Sequence, residues 1–388
     1  MGAAVGSGER TRHNGEVTYL DHAASTPVRA EAVAVMLPFL TERYGNPSGA
    51  HAMARDARNA LDDARVILAD ALGCTPGEIV FTSGGTEADN TAVFGFAQRG
   101  TIVCSAIEHH AVVDPVHRLG GRVVGVTGAG VVDLDALADA LDAEVSLVSI
   151  MLANNEIGTI QPLDEIAQVV RDRAPNATLH TDAVQAFPWL DVAALAQSAD
   201  LVSISAHKFG GPKGCGVLVV RDGVPFTARQ VGGGQERERR SGTQNVAGIV
   251  AMAEAARLTV EERKQTVDHV AALRDRLADE LLARVPDSFE TGDRANKVAG
   301  NCHLCFNGIE SEALLFLLER HDIMASAAAS CASGAQDPSH VLAAMGIPRS
   351  VAQGSLRLSL GPSTTAADVD LVLDVLPEAV ARLRERGS

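Results

Sequence analysis

The chain has 388 residues, of which 46% are apolar, and this indicates a globular protein large enough for two domains. With 33 basic and 49 acidic side chains, its net charge of −16 argues against nucleic acid or an anionic membrane as the main partner. No apolar run reaches the roughly 20 residues of a membrane span. Six cysteines without framework spacing are typical of a reducing compartment. We therefore expect a cytoplasmic protein that binds neither nucleic acid nor membrane.

The first part of the chain predicts a loose tail followed by a large α/β domain. Residues 1–17 are rich in Gly and Ala and lack the apolar core of a signal peptide. Between about residues 78 and 220, short Val- and Ile-rich segments alternate with helix-like stretches. Such segments are typical of buried strands in a mainly parallel sheet with helices on both faces. The strand-like segments are EIVF, TIVCS, VSLVSI, TLHT, DLVSIS and GVLVV. We assign this large domain to residues 18–264.

The remainder of the chain, residues 265–388, predicts a smaller α+β domain. A long helix is expected over about 246–284, and the boundary between the domains is placed within it. After Pro286 the pattern changes to two strands and two helices, which are predicted over 298–306 and 354–360, and over 310–320 and 366–386.

One cysteine pair, Cys302 and Cys305, has the CxxC spacing of a zinc or redox site. The surrounding GNCHLCFNG predicts a short strand, in which residues i and i+3 point to opposite faces. No second CxxC or His pair completes a metal site. We therefore favour two structural cysteines and expect no metal centre.

The first motif with chemical content is IVFTSGGTEADN, which predicts a strand, a glycine pair and a helix. Thr86 is placed to cap that helix, and Asp89, three residues later, to complete a capping box. The free N–H groups of such a turn form an anion site at the positive end of the helix. An ordinary strand-to-helix turn is the alternative interpretation.

The segments LHTDAVQAF and SISAHKFGGPKG place an acid and a lysine after two predicted buried strands. Asp182 and Gln185 lie where α/β sheets hold ligands, although an acid that caps the next helix has the same pattern. Lys208 is either a surface lysine or one whose charge is used or lost beside the strand. Pyridoxal phosphate (PLP) enzymes need a Schiff-base lysine, an acid facing the pyridine nitrogen, and phosphate donors. The residues that supply all three are Lys208, Asp182, and Gly85, Thr86, Ser205 and His207.

With these motifs in order, the chain resembles the cysteine desulfurases, fold-type I PLP enzymes of the class V aminotransferase superfamily. The resemblance runs from residue 19 to 362 and into the final helix. Its motifs are YLDHAASTP, GNPS, TSGGTEADN, EHHAVVD, NNEIGTIQP, TDAVQ, SAHKFGGPKG, GGGQERERRSGTQN and GSLRLSLGP. The distance from Cys331 to Pro338 is similar to that of the housekeeping and nitrogen-fixation type, which has the longer cysteine loop. The fold implied is α/β, with a mainly parallel large-domain sheet and a smaller α+β C-terminal domain.

The resemblance implies roles for the residues that match the family motifs. Lys208 would form the Schiff base and move protons, and His109 would stack on the cofactor ring and assist proton transfer. Asp182 would face the pyridine nitrogen, and Gln185 the phenolic oxygen. Cys331 stands at the position of the nucleophile that takes sulfur as a persulfide.

The remaining matches imply contacts to the phosphate and the substrate. The residues implied for the phosphate of the same subunit are Gly85, Thr86, Ser205 and His207. Thr243 would reach the phosphate of the neighbouring subunit, which implies a homodimer with shared active sites. Asn155 is implied at the cofactor and, together with Arg357, at the substrate carboxylate.

The segment ASAAASCASGAQDP, residues 325–338, carries Cys331 among very small side chains. By itself it reads either as a helix with a buried thiol or as a loop. The family resemblance implies a mobile loop, because small residues bury little surface. The chain departs from the family in having Ala327–Ser330 before the cysteine and Ala332 after it, where Gly, Ser or Thr is usual. This departure concerns loop geometry and not the presence of the nucleophile.

The implied activity converts L-cysteine to L-alanine and passes the sulfur through Cys331 to an acceptor protein, for iron–sulfur cluster assembly or thiolation. A selenocysteine lyase or another class V PLP lyase is the enzymatic alternative. A sulfur carrier or scaffold that keeps the fold without turnover is the non-enzymatic one. Cys331 could at most contribute a ligand to a cluster held by a partner.

Overall fold

The structure is a computed structural model that describes residues 17–327 and 339–387. Cys331 and most of the predicted cysteine loop lie outside the described residues, as do residues 1–16 of the predicted tail. The secondary structure of the described part alternates strands with helices along most of its length.

Twelve strands lie in the described part of the chain, most of them two to six residues long. They are β1 (Thr18–Tyr19), β2 (Ile79–Thr82), β3 (Thr101–Ser105), β4 (Arg122–Val124), β5 (Val145–Ser149), β6 (Thr178–Asp182), β7 (Leu201–Ser205), β8 (Gly216–Val220), β9 (Ser288–Glu290), β10 (Asn301–Phe306), β11 (Ile323–Met324) and β12 (Ser355–Ser359).

Twelve α-helices accompany them within the same residues. They are α1 (Ala30–Thr41), α2 (Ala52–Leu72), α3 (Gly85–Gly95), α4 (His110–Arg118), α5 (Leu134–Ala140), α6 (Leu163–Arg173), α7 (Val192–Leu195), α8 (Val246–Arg284), α9 (Ser311–Glu319), α10 (His340–Ala344), α11 (Arg349–Ala352) and α12 (Ala366–Gly387). Short 3₁₀ turns lie at Pro76–Glu78, Ala206–Lys208, Gln235–Glu238 and Arg294–Asn296. None of the described helices is long and apolar enough to cross a membrane.

The seven-stranded sheet has the order β2-β8-β7-β6-β5-β3-β4, and only β8 runs antiparallel to its neighbours. Its strands are buried on both faces. Ile79 and Phe81 pack into a cluster with α2, α6 and α8, whereas Val80 between them packs with α3 and α4. This alternation follows the two-residue period of a strand. The predicted mainly parallel sheet with helices on both faces is therefore confirmed.

A second core surrounds the antiparallel sheet β12-β10-β9 and is covered by the later part of α8, by α9 and by α12. β1, near the start of the described chain, pairs with β11, and Leu20 joins this core. α8 runs without interruption through residue 264, where the prediction divides the two domains. The position of that boundary stays a prediction.

The predicted strand at Cys302 and Cys305 forms as β10, and both thiols are buried. Cys302 packs into the core of the small sheet, while Cys305 packs with α10 and α11 on the other face. The two side chains diverge, as the strand period requires.

A buried ion pair fixes the turn between β8 and α8. Arg65 on α2 donates two hydrogen bonds of 3.0 Å to the carboxylate of Glu236, whose side chain is 1% exposed. Glu236 also accepts from the backbone N–H of Phe81 at 3.1 Å. Glu236, Arg237 and Glu238 all have positive φ, which costs about 1–3 kcal/mol for each non-glycine residue. The buried bonds therefore hold a strained turn in place.

We expect Arg65→Met to lower the free energy of unfolding by about 3–5 kcal/mol, because it leaves the Glu236 carboxylate buried without its partner. Urea denaturation measures the change. Arg43→Met is the matched control, since Arg43 also makes a two-bond pair with an aspartate, Asp56, but at the surface. Equal losses in both variants would contradict the role of the buried pair.

Candidate active site

A cavity of about 450 Å³ lies at the carboxyl ends of β6 and β7, beside the start of α3. This edge of the sheet is where open α/β folds bind ligands. Ten of the twelve predicted site residues line it: Gly85, Thr86, His109, Asn155, Asp182, Gln185, Ser205, His207, Lys208 and Arg357. Of the other two, Thr243 is exposed and does not line the cavity, and Cys331 lies outside the described residues.

Lys208 ends the 3₁₀ turn that follows β7, and two carbonyl groups hold its amine. Nζ donates to Ala23 O at 2.5 Å and to Ala24 O at 3.0 Å. Burial and the nearby Arg357 lower the pKa of Lys208 to about 8. The amine is therefore closer to its neutral, nucleophilic form at neutral pH than a surface lysine is.

Asp182 is the last residue of β6, and its Oδ1 accepts from the N–H of Val184 at 2.8 Å. Burial raises the pKa of Asp182 above its ordinary value, while the charge of Lys208 opposes the shift. Behind it lies Asp89, which is 1% exposed and has an Oδ1 without a hydrogen-bond partner. Burial and the charge of Asp182 raise the pKa of Asp89 well above its ordinary value. The two carboxyl groups form an acidic end of the cavity.

The turn that enters α3 offers hydrogen-bond donors, in contrast to the two carboxyl groups. The helix cap predicted at Thr86 is wrong. The helix begins at Gly85 after Gly84, which has φ 143°, and no side chain caps it. Glu87, not Asp89, reaches back by accepting from Ser83 N at 2.7 Å. Thr86 therefore stays in the first turn of the helix and lines the cavity.

This turn forms a cradle for an anion together with the end of β7. Gly85 is required there, because a Cβ at this position would lie 2.8 Å from Val184. Ser205 and His207 face the same space, and burial lowers the pKa of His207 to about 4. Free N–H groups, a hydroxyl and a neutral imidazole can donate hydrogen bonds to an anionic group such as phosphate.

His109 caps α4, and its Nδ1 accepts from the N–H of Ala111 at 3.0 Å. Burial and the charge of Lys208 lower the pKa of His109 to about 4. The ring is therefore neutral, and because Nδ1 accepts, the proton is on Nε2.

Arg357 on β12 lies at the other side of the cavity with two of its three nitrogens engaged. Nη1 donates to Asn155 O at 2.9 Å, and Nη2 donates to Asp21 Oδ1 at 2.8 Å. Its Nε is buried without a partner. An oriented guanidinium with a free donor suits a carboxylate ligand.

Several groups that shape the site were not among the predicted site residues. The carbonyls of Ala23 and Ala24 hold the lysine, and Asp21 orients Arg357. Both contacts span more than 180 residues of chain, so no local pattern predicts them. Asp89 and Glu108 lie inside quoted motifs, but only the folded chain shows their burial. Among the described residues, no group of three His, Cys, Asp or Glu side chains gathers to hold a metal ion.

Comparison with known proteins is consistent with this fold and site. The Aminotransferase class-V family matches residues 18–372. The cysteine desulfurase IscS of Methanosarcina thermophila is 44% identical over 387 residues, covering 97% of this chain and 95% of its own. The IscS-like cysteine desulfurase of Mycobacterium tuberculosis is 43% identical over 385 residues, with 95% and 97% covered. A solved NifS-like protein aligns with a TM-score of 0.88 at 36% identity, over 95% of this chain and all of that one.

The fold and the lysine-centred cavity define an α/β enzyme of the PLP-type transferase architecture. The chain belongs to the class V aminotransferase family, and its relatives within that family are cysteine desulfurases.

Glu108, next to His109, contributes a pH dependence to the free energy of unfolding. It is fully buried, its Oε1 accepts from Ser105 and Met151, and its Oε2 has no partner. Burial raises the pKa of Glu108 to about 8. The folded state therefore holds this proton more tightly than the unfolded chain does, and stability present at low pH is lost as the pH rises toward 8.

Between pH 5.5 and pH 7.5 Glu108 contributes a fall in the free energy of unfolding, and we expect Glu108→Gln to remove it, which changes the slope against pH by up to about 1.4 kcal/mol per pH unit toward higher stability at higher pH. Urea denaturation across this range measures both slopes. Glu87→Gln is the control, because hydrogen bonds from Arg240 and Ser83 outweigh burial and lower the pKa of Glu87. Its slope should equal that of the unmodified protein. An unchanged slope in Glu108→Gln would contradict the assignment.

Proposed function

We propose that this protein is a PLP-dependent cysteine desulfurase that converts L-cysteine to L-alanine and receives the sulfur on Cys331 as a persulfide. The observation that carries the proposal is the half-buried amine of Lys208 between an acidic end, at Asp182, and an anion cradle, at Gly85. The identity of 41–44% to proteins named cysteine desulfurase over nearly the whole chain supports the same reaction.

The residues of the cavity fit PLP at both ends. Asp182 would face the pyridine nitrogen, where its carboxylate stabilises a protonated ring, and Gln185 would face the phenolic oxygen. The residues that would hold the phosphate are Gly85, Thr86, Ser205 and His207, with Asn155 beside the ring. When bound, PLP withdraws electrons from the substrate carbon that carries the amino group.

Lys208 and His109 would move the protons of the reaction. Lys208 Nζ, with a pKa lowered to about 8 by burial and Arg357, takes the proton from the substrate α-carbon and returns one to the product. The neutral ring of His109 presents Nε2, since Nδ1 is engaged with Ala111. The imidazole would stack on the cofactor ring, and Nε2 would transfer a proton at the sulfur of the substrate.

Arg357 would bind the substrate carboxylate with Asn155. The residue lines the cavity, its Nε is buried beside it without a partner, and Asp21 and the Asn155 carbonyl fix the plane of the guanidinium. Substrate binding would therefore satisfy a buried donor that has no other partner, which favours a carboxylate at that point.

The chain length between Ser326 and Cys331 allows the thiol to reach the cavity. Ser326 lines the cavity and pairs with Arg357 through two backbone hydrogen bonds. Five residues of extended chain span at most about 17 Å. Beyond the loop, Ser339 donates to Glu156, so both flanking residues attach beside the site.

A homodimer would complete the site. Val33, Leu37 and Leu40 lie on one face of α1 at helical spacing and are 39–54% exposed. Thr243 is exposed and does not line the cavity of its own chain, as expected of a residue that serves the neighbouring subunit. A second copy of the chain would cover the apolar face and bring Thr243 to the phosphate of its partner.

The sulfur acceptor would be a protein for iron–sulfur cluster assembly or thiolation, and the cytoplasm is the compartment we propose. Selenocysteine lyase is the second candidate function, and a comparison of L-selenocysteine with L-cysteine as substrate distinguishes the two. A desulfurase requires Cys331 for turnover of L-cysteine. Preferred turnover of L-selenocysteine without any need for Cys331 would favour the lyase.

We expect Cys331→Ser to retain the visible absorption of bound PLP but to release no alanine and no sulfide from L-cysteine under reductant. Mass spectrometry of the unmodified protein after L-cysteine should find one additional sulfur atom on Cys331. Cys74→Ser is the matched control, because burial raises the pKa of the Cys74 thiol and it lies outside the cavity. Normal turnover by Cys331→Ser would overturn the assignment of the nucleophile.

We expect Leu37→Asp combined with Leu40→Asp to convert the dimer to a monomer in sedimentation velocity, because two charges would be desolvated in the apolar face. The monomer should also bind PLP more weakly, since Thr243 of the partner is lost. Phe316→Asp, at a 64% exposed position on α9, is the control and should stay dimeric. A dimer that survives the double substitution would exclude this face.

A further inference from the structure

A second cavity lies behind the wall of the active site. Its volume is about 260 Å³, and it is lined by α8, by the turn after β6 and by the ends of β10 and β12. We call it the rear cavity. It shares Ala23, Gln185 and Lys208 with the active-site cavity, but it contains none of the residues of the anion cradle.

The rear cavity has a large apolar surface. Trp189 and Phe209 line it, with Val28 and Leu360 among the other apolar groups. Trp189 packs against both hydrophobic cores and is the only tryptophan of the chain. An apolar pocket of this size with a few polar groups is typical of a small-molecule site.

Unpaired polar atoms belong to the same cavity. Of nine buried side-chain atoms without a hydrogen-bond partner in the described residues, three belong to residues that line the cavity, although the atoms themselves are covered: His22 Nδ1, Arg263 Nε and Asn301 Oδ1. His22 and Asn301 are 5% and 3% exposed. Buried polar groups are normally satisfied, so these three atoms mark a polar part of the wall beneath the apolar surface.

The charges of the lining favour an anion. Arg263 makes no ion pair within 4.0 Å in the described part of the chain. Its Nη2 donates to the carbonyl of Phe187 at 3.4 Å, its guanidinium lies over the Phe187 ring, and the more distant charge of Asp191 only partly opposes the lowering of its pKa by burial. Arg29 is neutralised by Glu262 at 2.7 Å, whereas no Asp or Glu belongs to the described lining. Burial lowers the pKa of His22 to about 4, so this ring is neutral. The unpaired guanidinium of Arg263 is the group that a ligand would neutralise.

We propose that the rear cavity binds a small apolar carboxylate, with its carboxylate on Arg263 and its apolar body against Trp189 and Phe209. This site is distinct from the substrate site at Arg357 and does not depend on the desulfurase reaction. A neutral or cationic ligand of the same shape would leave the guanidinium of Arg263 without a partner.

Trp189 allows a direct test, because its emission reports the environment of the cavity wall. The probes are 3-phenylpropionate, the neutral 3-phenyl-1-propanol and the cationic 3-phenylpropylamine, each titrated into the holoenzyme with excitation selective for tryptophan. We expect 3-phenylpropionate to shift the emission saturably and to bind about tenfold or more tightly than either analogue, as for a charge-assisted hydrogen bond. Equal binding of all three probes, or no saturable shift, would overturn the proposal.

Variants locate the probe. Arg263→Met should weaken 3-phenylpropionate about tenfold or more. Arg257→Met is the control on the same helix, because Arg257 pairs with Glu254 and Glu261 outside the cavity and should bind normally. Thr266→Phe, which fills the cavity from α8, should abolish the shift in tryptophan emission. This variant replaces Arg263→Met in the test if Arg263→Met does not fold. Binding that is lost in Arg357→Met but kept in Arg263→Met would place the probe in the active site and refute the proposal.

Discussion

The carbonyl oxygens of Ala23 and Ala24 accept hydrogen bonds from the amine of the half-buried Lys208, and the position of the site depends on this contact. Upstream, β1 pairs with β11 in a separate two-stranded sheet, and Leu20 packs into the core of the small sheet. Downstream, Thr26 bonds twice to the carbonyl of His207, in the same turn as the lysine. A short segment of chain thus joins the two cores and fixes the amine between them. Without these carbonyls, a lysine beside a buried strand would be costly.

Burial controls the charge of the groups around that amine. The imidazoles of His109 and His207 are neutral at pH 7, because burial lowers the pKa of each to about 4. Glu108 keeps its proton, because burial raises its pKa to about 8. Two cations of the lining stay charged: Arg357, which pairs with Asp21, and Lys208, whose pKa of about 8 leaves most of the amine protonated at pH 7. A cavity of this kind attracts anionic ligands through two cations and a set of neutral donors, and each of these interactions is strengthened at low dielectric.

The sequence predicts the elements well and the contacts between them poorly, for a physical reason. Periodicity and β-branched composition are local, so the strand at Thr178–Asp182 and the helix at Val246–Arg284 follow from their own residues. The cap predicted at Thr86 is wrong because the helix begins one residue earlier, at Gly85 after Gly84, so that Thr86 lies within the first turn and the N–H groups of the turn stay without a capping side chain. The family resemblance placed Lys208 and Arg357 in one site, but it did not specify Asp21 or the rear cavity. Both depend on segments that are distant in the chain and meet only after folding.

Arg357, which we propose to bind the substrate carboxylate, is oriented by the fold before any ligand arrives. The residue is on β12 of the small sheet, Asp21 holds it from the N-terminal segment, and the carbonyl of Asn155 holds it from the large-sheet side. A free arginine side chain would lose rotamer entropy on binding, whereas this one has already lost it on folding. The position of its unpaired Nε therefore depends on the relative placement of the two cores. A displacement of the small sheet against the large one would change the distance between Arg357 Nε and the amine of Lys208. The packing along α8 and the N-terminal segment therefore sets the geometry of the proposed substrate site.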